Sequence, residues 1–186
     1  MVKALKLILF ILGIWMLGAA GPIHAAVDVY LTPTQDTHIS GGIITYNITL
    51  QADQDTKLEA IGDIFLAYDK DYLTLITANV KDLTVSTNWT DQIIDLDYTA
   101  TQVVTGSYAV IRFAKVSLED VFSLTANIPV QVLTLPFVID PQYKNAMTRL
   151  YFPKALMIDT QHANVLRKAE ESFLIRKPRS DKGDKK

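Results

Sequence analysis

The 186-residue sequence contains no cysteine and only three histidines. The first absence excludes disulfide staples, a thiolate nucleophile, a cysteine-held metal and lipid attachment to a cysteine. Of the histidines, one lies near the N-terminus, and His38 and His162 stand far apart in loop-like segments. With no cysteine and no close histidine pair, the spacing does not point to zinc. There is no Gly-x-Ser-x-Gly elbow, no phosphate loop, and nothing that places a serine beside either histidine. Basic residues are also scarce where they would matter. The tail Arg-Lys-Pro-Arg-Ser-Asp-Lys-Gly-Asp-Lys-Lys at 176–186 carries +4 and Lys3 and Lys6 add +2, so residues 27–175 carry −8 of the overall −2. An acidic body disfavours nucleic acid, because phosphate binding requires a density of Lys and Arg. Past the first twenty residues no apolar run is long enough to span a bilayer.

The N-terminal segment has the order of a secretory leader. Lys3 and Lys6 precede an apolar run from Leu7 to Leu17, and small residues follow. Cleavage is expected near Ala25 or Ala26, with Ile23 or His24 at the third position before the cut. The run is short for a membrane span and carries Gly13 and Gly18, so contact with a membrane is expected only through this segment if it stays uncleaved. An exported chain without disulfides fits a bacterial envelope, periplasmic or secreted protein. The expected organisation is a leader at 1–26, one folded domain at 27–175 and a basic tail at 176–186.

Within that domain the apolar pattern has period two rather than 3.6. Val27, Val29 and Leu31 share one face, then Ile44, Tyr46, Ile48 and Leu50, and later Ile94, Leu96 and Tyr98. β-Branched and aromatic residues fill these runs, and Gly, Pro, Asn and Asp separate them. Pro136, inside an apolar run, predicts an edge or a bulge. Ser117 with Asp120 predicts a turn or two of helix over 117–125. Eight or nine short strands in about 150 residues predict an all-β fold, an antiparallel β-sandwich or flattened jelly roll of about nine strands.

The acidic corner Tyr-Asp-Lys-Asp-Tyr at 68–72 separates two apolar runs. Asp69 and Asp71 suit a turn, since their side chains bond nearby backbone N–H groups. The corner therefore redirects the chain and could carry it between sheets. The pairs Asp53/Asp55, Asp69/Asp71 and Asp95/Asp97 are two residues apart, which on a strand places both carboxylates on one face. Their simplest reading is turn chemistry for the first two and a solvent face for the third. A structural calcium ranks ahead of paired-carboxylate catalysis, and no other cofactor or metal is expected. Trp89, in the polar stretch Ser-Thr-Asn-Trp-Thr-Asp-Gln, and Tyr98 are the aromatic candidates for stacking on a sugar.

In order along the chain, several segments resemble bacterial cohesin domains. Gly-Asp-Ile-Phe-Leu-Ala-Tyr-Asp-Lys-Asp-Tyr-Leu-Thr-Leu is similar to the family's apolar strand, Tyr-Asp-Pro corner and resumed strand. Ser-Tyr-Ala-Val-Ile-Arg-Phe-Ala-Lys-Val-Ser resembles its middle strand, and Ile-Pro-Val-Gln-Val-Leu-Thr-Leu-Pro-Phe-Val-Ile-Asp a later one. The resemblance covers nearly all of residues 27–175. It implies a nine-stranded flattened jelly roll and a non-catalytic module that grips dockerins, small calcium-loaded helical modules. It also implies a partner-binding pair at Ile61 and Asp63, where the family often has Asn-x-Asp, beside Tyr68 of the corner. Asp63 matches that pattern; Ile61 stands for the Asn and Lys70 for the Pro. The sequence thus predicts an exported binding module, not an enzyme, with a dockerin-type protein as partner. The alternatives are a carbohydrate-binding module of the same fold, with polysaccharide as ligand, and a structural subunit of a surface assembly.

Overall fold

The computed structural model describes residues 24–34, 41–83, 91–98, 108–116, 121–142 and 147–175. Most of the predicted leader, His38, Trp89 and the basic tail lie outside the described residues. Among the described residues there are twelve strands: β1 (Val27–Pro33), β2 (Ile43–Ala52), β3 (Thr56–Asp69), β4 (Leu73–Leu75), β5 (Lys81–Asp82), β6 (Asp91–Tyr98), β7 (Tyr108–Val116), β8 (Phe122–Leu124), β9 (Val130–Ile139), β10 (Met147–Asp159), β11 (Leu166–Ala169) and β12 (Ser172–Ile175). Three of them, β4, β5 and β8, have two or three residues. The strands outnumber the nine or so expected, because short paired pieces stand as strands of their own. The helix expected over 117–125 is replaced where it is described: Phe122–Leu124 is a strand that pairs with Thr56–Leu58 of β3. Cross-strand pairing there outweighs a local capping signal.

The strands form two sheets that face each other. One has the order β11-β1-β2-β9-β4, with β5 also on β9; the other has the order β12-β10-β3-β7-β6, with β8 also on β3. Pairing is antiparallel except between β1 and β11, which run parallel. The period-two patterns point their apolar side between the sheets, as in a sandwich. Val27, Val29 and Leu31 of β1 and Ile44, Tyr46, Ile48 and Leu50 of β2 are buried together with Ile64, Leu66, Ile111, Phe113, Leu135 and Phe137. Tyr68 meets Phe137 edge to face at 4.9 Å, which joins the two sheets at the corner end.

The corner does carry the chain between sheets. β3 belongs to one sheet and β4 to the other. The Asp69 carboxylate accepts the Asp71 N–H at 3.0 Å, and the Asp69 carbonyl accepts the Tyr72 N–H at 3.1 Å. Tyr72 then enters the core as one of its largest fully buried side chains. Pro136 lies on β9 between the stretches paired by β4 and by β5. Its carbonyl accepts the Ile76 N–H, so the missing proline N–H faces that same side. The proline interrupts the edge strand into two short pieces joined by the 3-10 turn Thr77–Asn79.

Candidate functional site

The outward face of the sheet built on β3 is the most differentiated surface of the described residues. A register shift prepares it. On β3, Ile61 pairs with Lys115 of β7 and Ile64 pairs with Phe113, so three steps on β3 answer two on β7. One extra residue is accommodated, a β-bulge. Its consequence is a change of phase: Ile61 points into the core, and after the bulge Ile64, Leu66 and Tyr68 also point in, while Asp63, Phe65 and Ala67 point out.

The predicted partner-binding residues are therefore divided. Ile61 is 0% exposed and sits in the main core; Tyr68, 7% exposed, packs on Phe137. Neither side chain is placed to touch a partner, and the expected pairing of residues 61 and 63 on one face is corrected by the bulge. Asp63 is on the outward face with its side chain 30% exposed. Among the carbohydrate candidates, Tyr98 lies on β6 opposite Val110 of β7.

Around Asp63 the face is built by three adjacent strands. Arg112 of β7 donates from Nε at 2.7 Å to Asp63 Oδ1, and Lys154 of β10 lies 3.9 Å from the other oxygen. Phe65 stands between the same two cations. It pairs across the sheet with Arg112 on one side and Lys154 on the other, whose charged groups lie 5.8 and 5.6 Å from its ring centre. Two residues further along β3, Ala67 lies between Val110 and Tyr151. Phe65, Ala67 and Val110 form a small apolar cluster separate from the main core, with Tyr108 and Tyr151 packed against it. Those two tyrosines meet edge to face at 5.6 Å, and Arg149 sits over Tyr151 at 4.3 Å. Arg149 also pairs with Glu171. These side chains cover the small cluster, leaving Phe65 4% and Ala67 and Val110 0% exposed, so the surface offered is a rim of tyrosines and cationic groups on a domain whose total charge is strongly acidic.

Sequence reasoning singled out Asp63 and missed Phe65, Arg112, Tyr151 and Lys154. The signals were available in part: Asp63, Phe65 and Ala67 alternate along one strand, and Arg112 is a charge set within an otherwise apolar stretch, Ala109 to Ala114. That Lys154 lies beside Phe65 follows only from the register of β10, which is itself shifted between Tyr151 and Lys154.

The other carboxylates have structural work. Asp53 accepts the Ala26 N–H and a guanidinium N–H of Arg167; Asp55 accepts the Ala126 N–H. Asp28 is buried and held in two-point contact by Arg167, at 2.9 and 2.6 Å. That guanidinium, the largest influence, together with the Tyr30 hydroxyl outweighs the opposing effect of burial and keeps the Asp28 carboxyl below the usual carboxylate range. Asp159 closes the turn after β10. Burial opposes its ionisation, but the Ala163 and Gln161 N–H groups and His24 reverse the balance and hold it below that range. His162 is exposed and pairs with Glu59 at 2.9 Å. Among the described residues no three His, Asp or Glu side chains gather to hold a metal ion, and no helix is long and apolar enough to cross a membrane.

No family model matches the sequence, and no curated protein matches it. The fold, by contrast, has relatives among solved structures. A cohesin from Clostridium acetobutylicum superposes with a TM-score of 0.56 at 11% identity, over 81% of this chain and 90% of that one. A type I cohesin–dockerin complex from Clostridium thermocellum gives 0.58 at 12% identity, over 83% and 95%. The cohesin module of a Clostridium perfringens family 33 glycoside hydrolase gives 0.56 at 10% identity, over 83% and 97%. At such identities the likeness is one of architecture: the folded body of this chain is a cohesin-like β-sandwich.

Proposed function

We propose that this chain is an exported, non-catalytic protein-binding module, and that it receives a dockerin-type partner on the outward face of β3, β7 and β10. The observation that carries this reading is the rim of Tyr151, Tyr108, Arg112, Lys154 and Asp63 closed over the buried Phe65, Ala67 and Val110. Protein interfaces favour this combination of aromatic and arginine anchors around a dry centre. The fold supports the same reading, since solved relatives include cohesins held in complex with dockerins. Asp63 contributes an acceptor already oriented by Arg112, so little rotamer freedom is lost when a partner donates to it. Direct glycan binding is less well served. Sugar platforms need rings lying flat in a row, whereas Tyr108 and Tyr151 stand at 75° to each other.

The test is capture from the host's envelope and secreted fractions on immobilised protein, with calcium present, in parallel with Asp63→Ala and Arg112→Ala variants. Retention of proteins bearing dockerin-like calcium repeats, lost in both variants, is the expected result. Retention of polysaccharide alone, or of further copies of this chain alone, equally by all three proteins, would overturn the reading.

A further inference from the structure

Residues 24–26, at the end of the predicted leader, are fitted onto the body of the domain. Ala25 is buried, His24 Nδ1 lies 2.8 Å from Asp159 Oδ2, and the Ala26 N–H donates to Asp53 Oδ1 at 2.8 Å. Ala26 and Asp53 are joined twice, because the Asp53 N–H donates back to the Ala26 carbonyl at 3.0 Å. The second oxygen of Asp53 takes Arg167 at 3.1 Å, and Arg167 also holds Asp28. This cluster of two carboxylates and one guanidinium is one positive charge short of balance.

The two candidate scissile bonds differ in what they would leave here. Hydrolysis between Ala25 and Ala26 adds water across the peptide bond. The Ala25 carbonyl departs as a carboxylate on the leader, and the Ala26 nitrogen becomes an α-ammonium. That nitrogen is the atom already bonded to Asp53, so the new charge arrives beside a carboxylate and balances the cluster. Hydrolysis one bond later would place the ammonium on Val27, which is fully buried and whose N–H donates to the neutral carbonyl of Val165 at 2.8 Å. A buried charge facing a neutral acceptor is costly.

We infer that the mature chain begins at Ala26, cut from its leader by a host signal peptidase, and that Asp53 is the receptor for the new N-terminus. Ala25 supplies the small residue immediately before the cut, while Ile23 stands at the third position, where the common pattern has a second small residue. Loss of His24 is tolerated on this scheme, because Asp159 keeps the N–H groups of Gln161 and Ala163 at 2.9 Å each.

The full chain, leader included, should be produced in an exporting bacterium and the exported protein identified by intact mass and N-terminal sequencing. The expected first residue is Ala26. A first residue of Val27, or a retained leader, would overturn the inference. The receptor role is read separately by timed acylation of the α-amine. The amine of the mature protein should react severalfold more slowly than that of Asp53→Asn, with protection regained in Asp53→Glu. Equal reaction in all three would remove Asp53 from the scheme while leaving the position of the cut decided by the mass.

Discussion

Single residues carry charges across places where the sandwich would otherwise be wholly apolar. Lys115 is a core-facing residue of β7 with its side chain 1% exposed, and its Nζ reaches Asp82 of β5 at 2.6 Å. Because β5 belongs to the opposite sheet, the pair bridges the two layers. Its Nζ also lies 5.9 Å from the ring centre of Phe113. Removing one member of such a pair leaves a desolvated charge, so Asp82→Ala should destabilise the domain by about 3–5 kcal/mol, measured by urea unfolding. Replacing both at once, with Lys115→Met and Asp82→Leu, should recover most of that loss, because no buried charge then remains. A single variant as stable as the parent would show that Lys115 finds water instead. Asp28 gives a pH-dependent counterpart. Its carboxyl is held below the ordinary range by Arg167, so its ionised form is favoured in the folded state. Stability from the pair is fully present above the unfolded carboxylate value of about 3.9, and falls away as pH drops below it. Thermal melts from pH 6 down to pH 2 should show a steeper acid loss for the parent than for Asp28→Asn.

At the scale of the strand, β3 depends on one glycine. Gly62 sits within the bulge, and a Cβ there would lie 3.2 Å from the Leu156 carbonyl oxygen of β10 and 3.3 Å from Leu156 Cδ2. Both contacts are tighter than a side-chain carbon ordinarily makes and the branched side chain adds bulk beyond Cβ, so Gly62→Val should cost about 1–3 kcal/mol in chemical denaturation. The same bulge explains what could and could not be read from the sequence. Uninterrupted alternation in β1 and β2 placed Val27, Val29, Leu31 and Ile44 through Leu50 correctly in the core. The Asp69 corner was readable because its chemistry is local. In β3, strict alternation would put residues 61 and 63 on one face, and a single inserted residue separates them. A bulge is a property of two paired strands, and it leaves no mark in either strand alone. The same reason hides Lys154, which reaches Phe65 through a second register shift on β10. The local capping signal near Ser117 misled for the opposite cause: β8 is short, and only its partner β3 makes it a strand.

For the molecule as a whole, the two faces of one sheet divide stability from recognition. The inward face of β3 contributes Ile61, Ile64 and Leu66 to the main core, and the outward face contributes Asp63 to the proposed binding surface, with Phe65 buried beneath its rim. The strand is shared, yet substitutions on its two sides should separate cleanly. Ile61→Ala removes a fully buried side chain and should cost about 2–5 kcal/mol of stability. The surviving folded fraction should bind its partner with nearly parental affinity, because Ile61 meets no surface. Arg112→Ala should do the reverse, whereas Tyr151→Ala should lose both stability and binding, because Tyr151 also covers Phe65, Ala67 and Val110. Arg112 is about a quarter exposed and its pair with Asp63 is solvent-screened, so the melting temperature should change little. Their binding should fall by tenfold or more, at least about 1.4 kcal/mol, if these side chains anchor the partner. Calorimetry on the three variants, beside titration with a captured partner, measures both quantities on the same samples. A loss of affinity in Ile61→Ala matching that of Arg112→Ala would mean that the partner grips the sandwich elsewhere and senses β3 only through its packing.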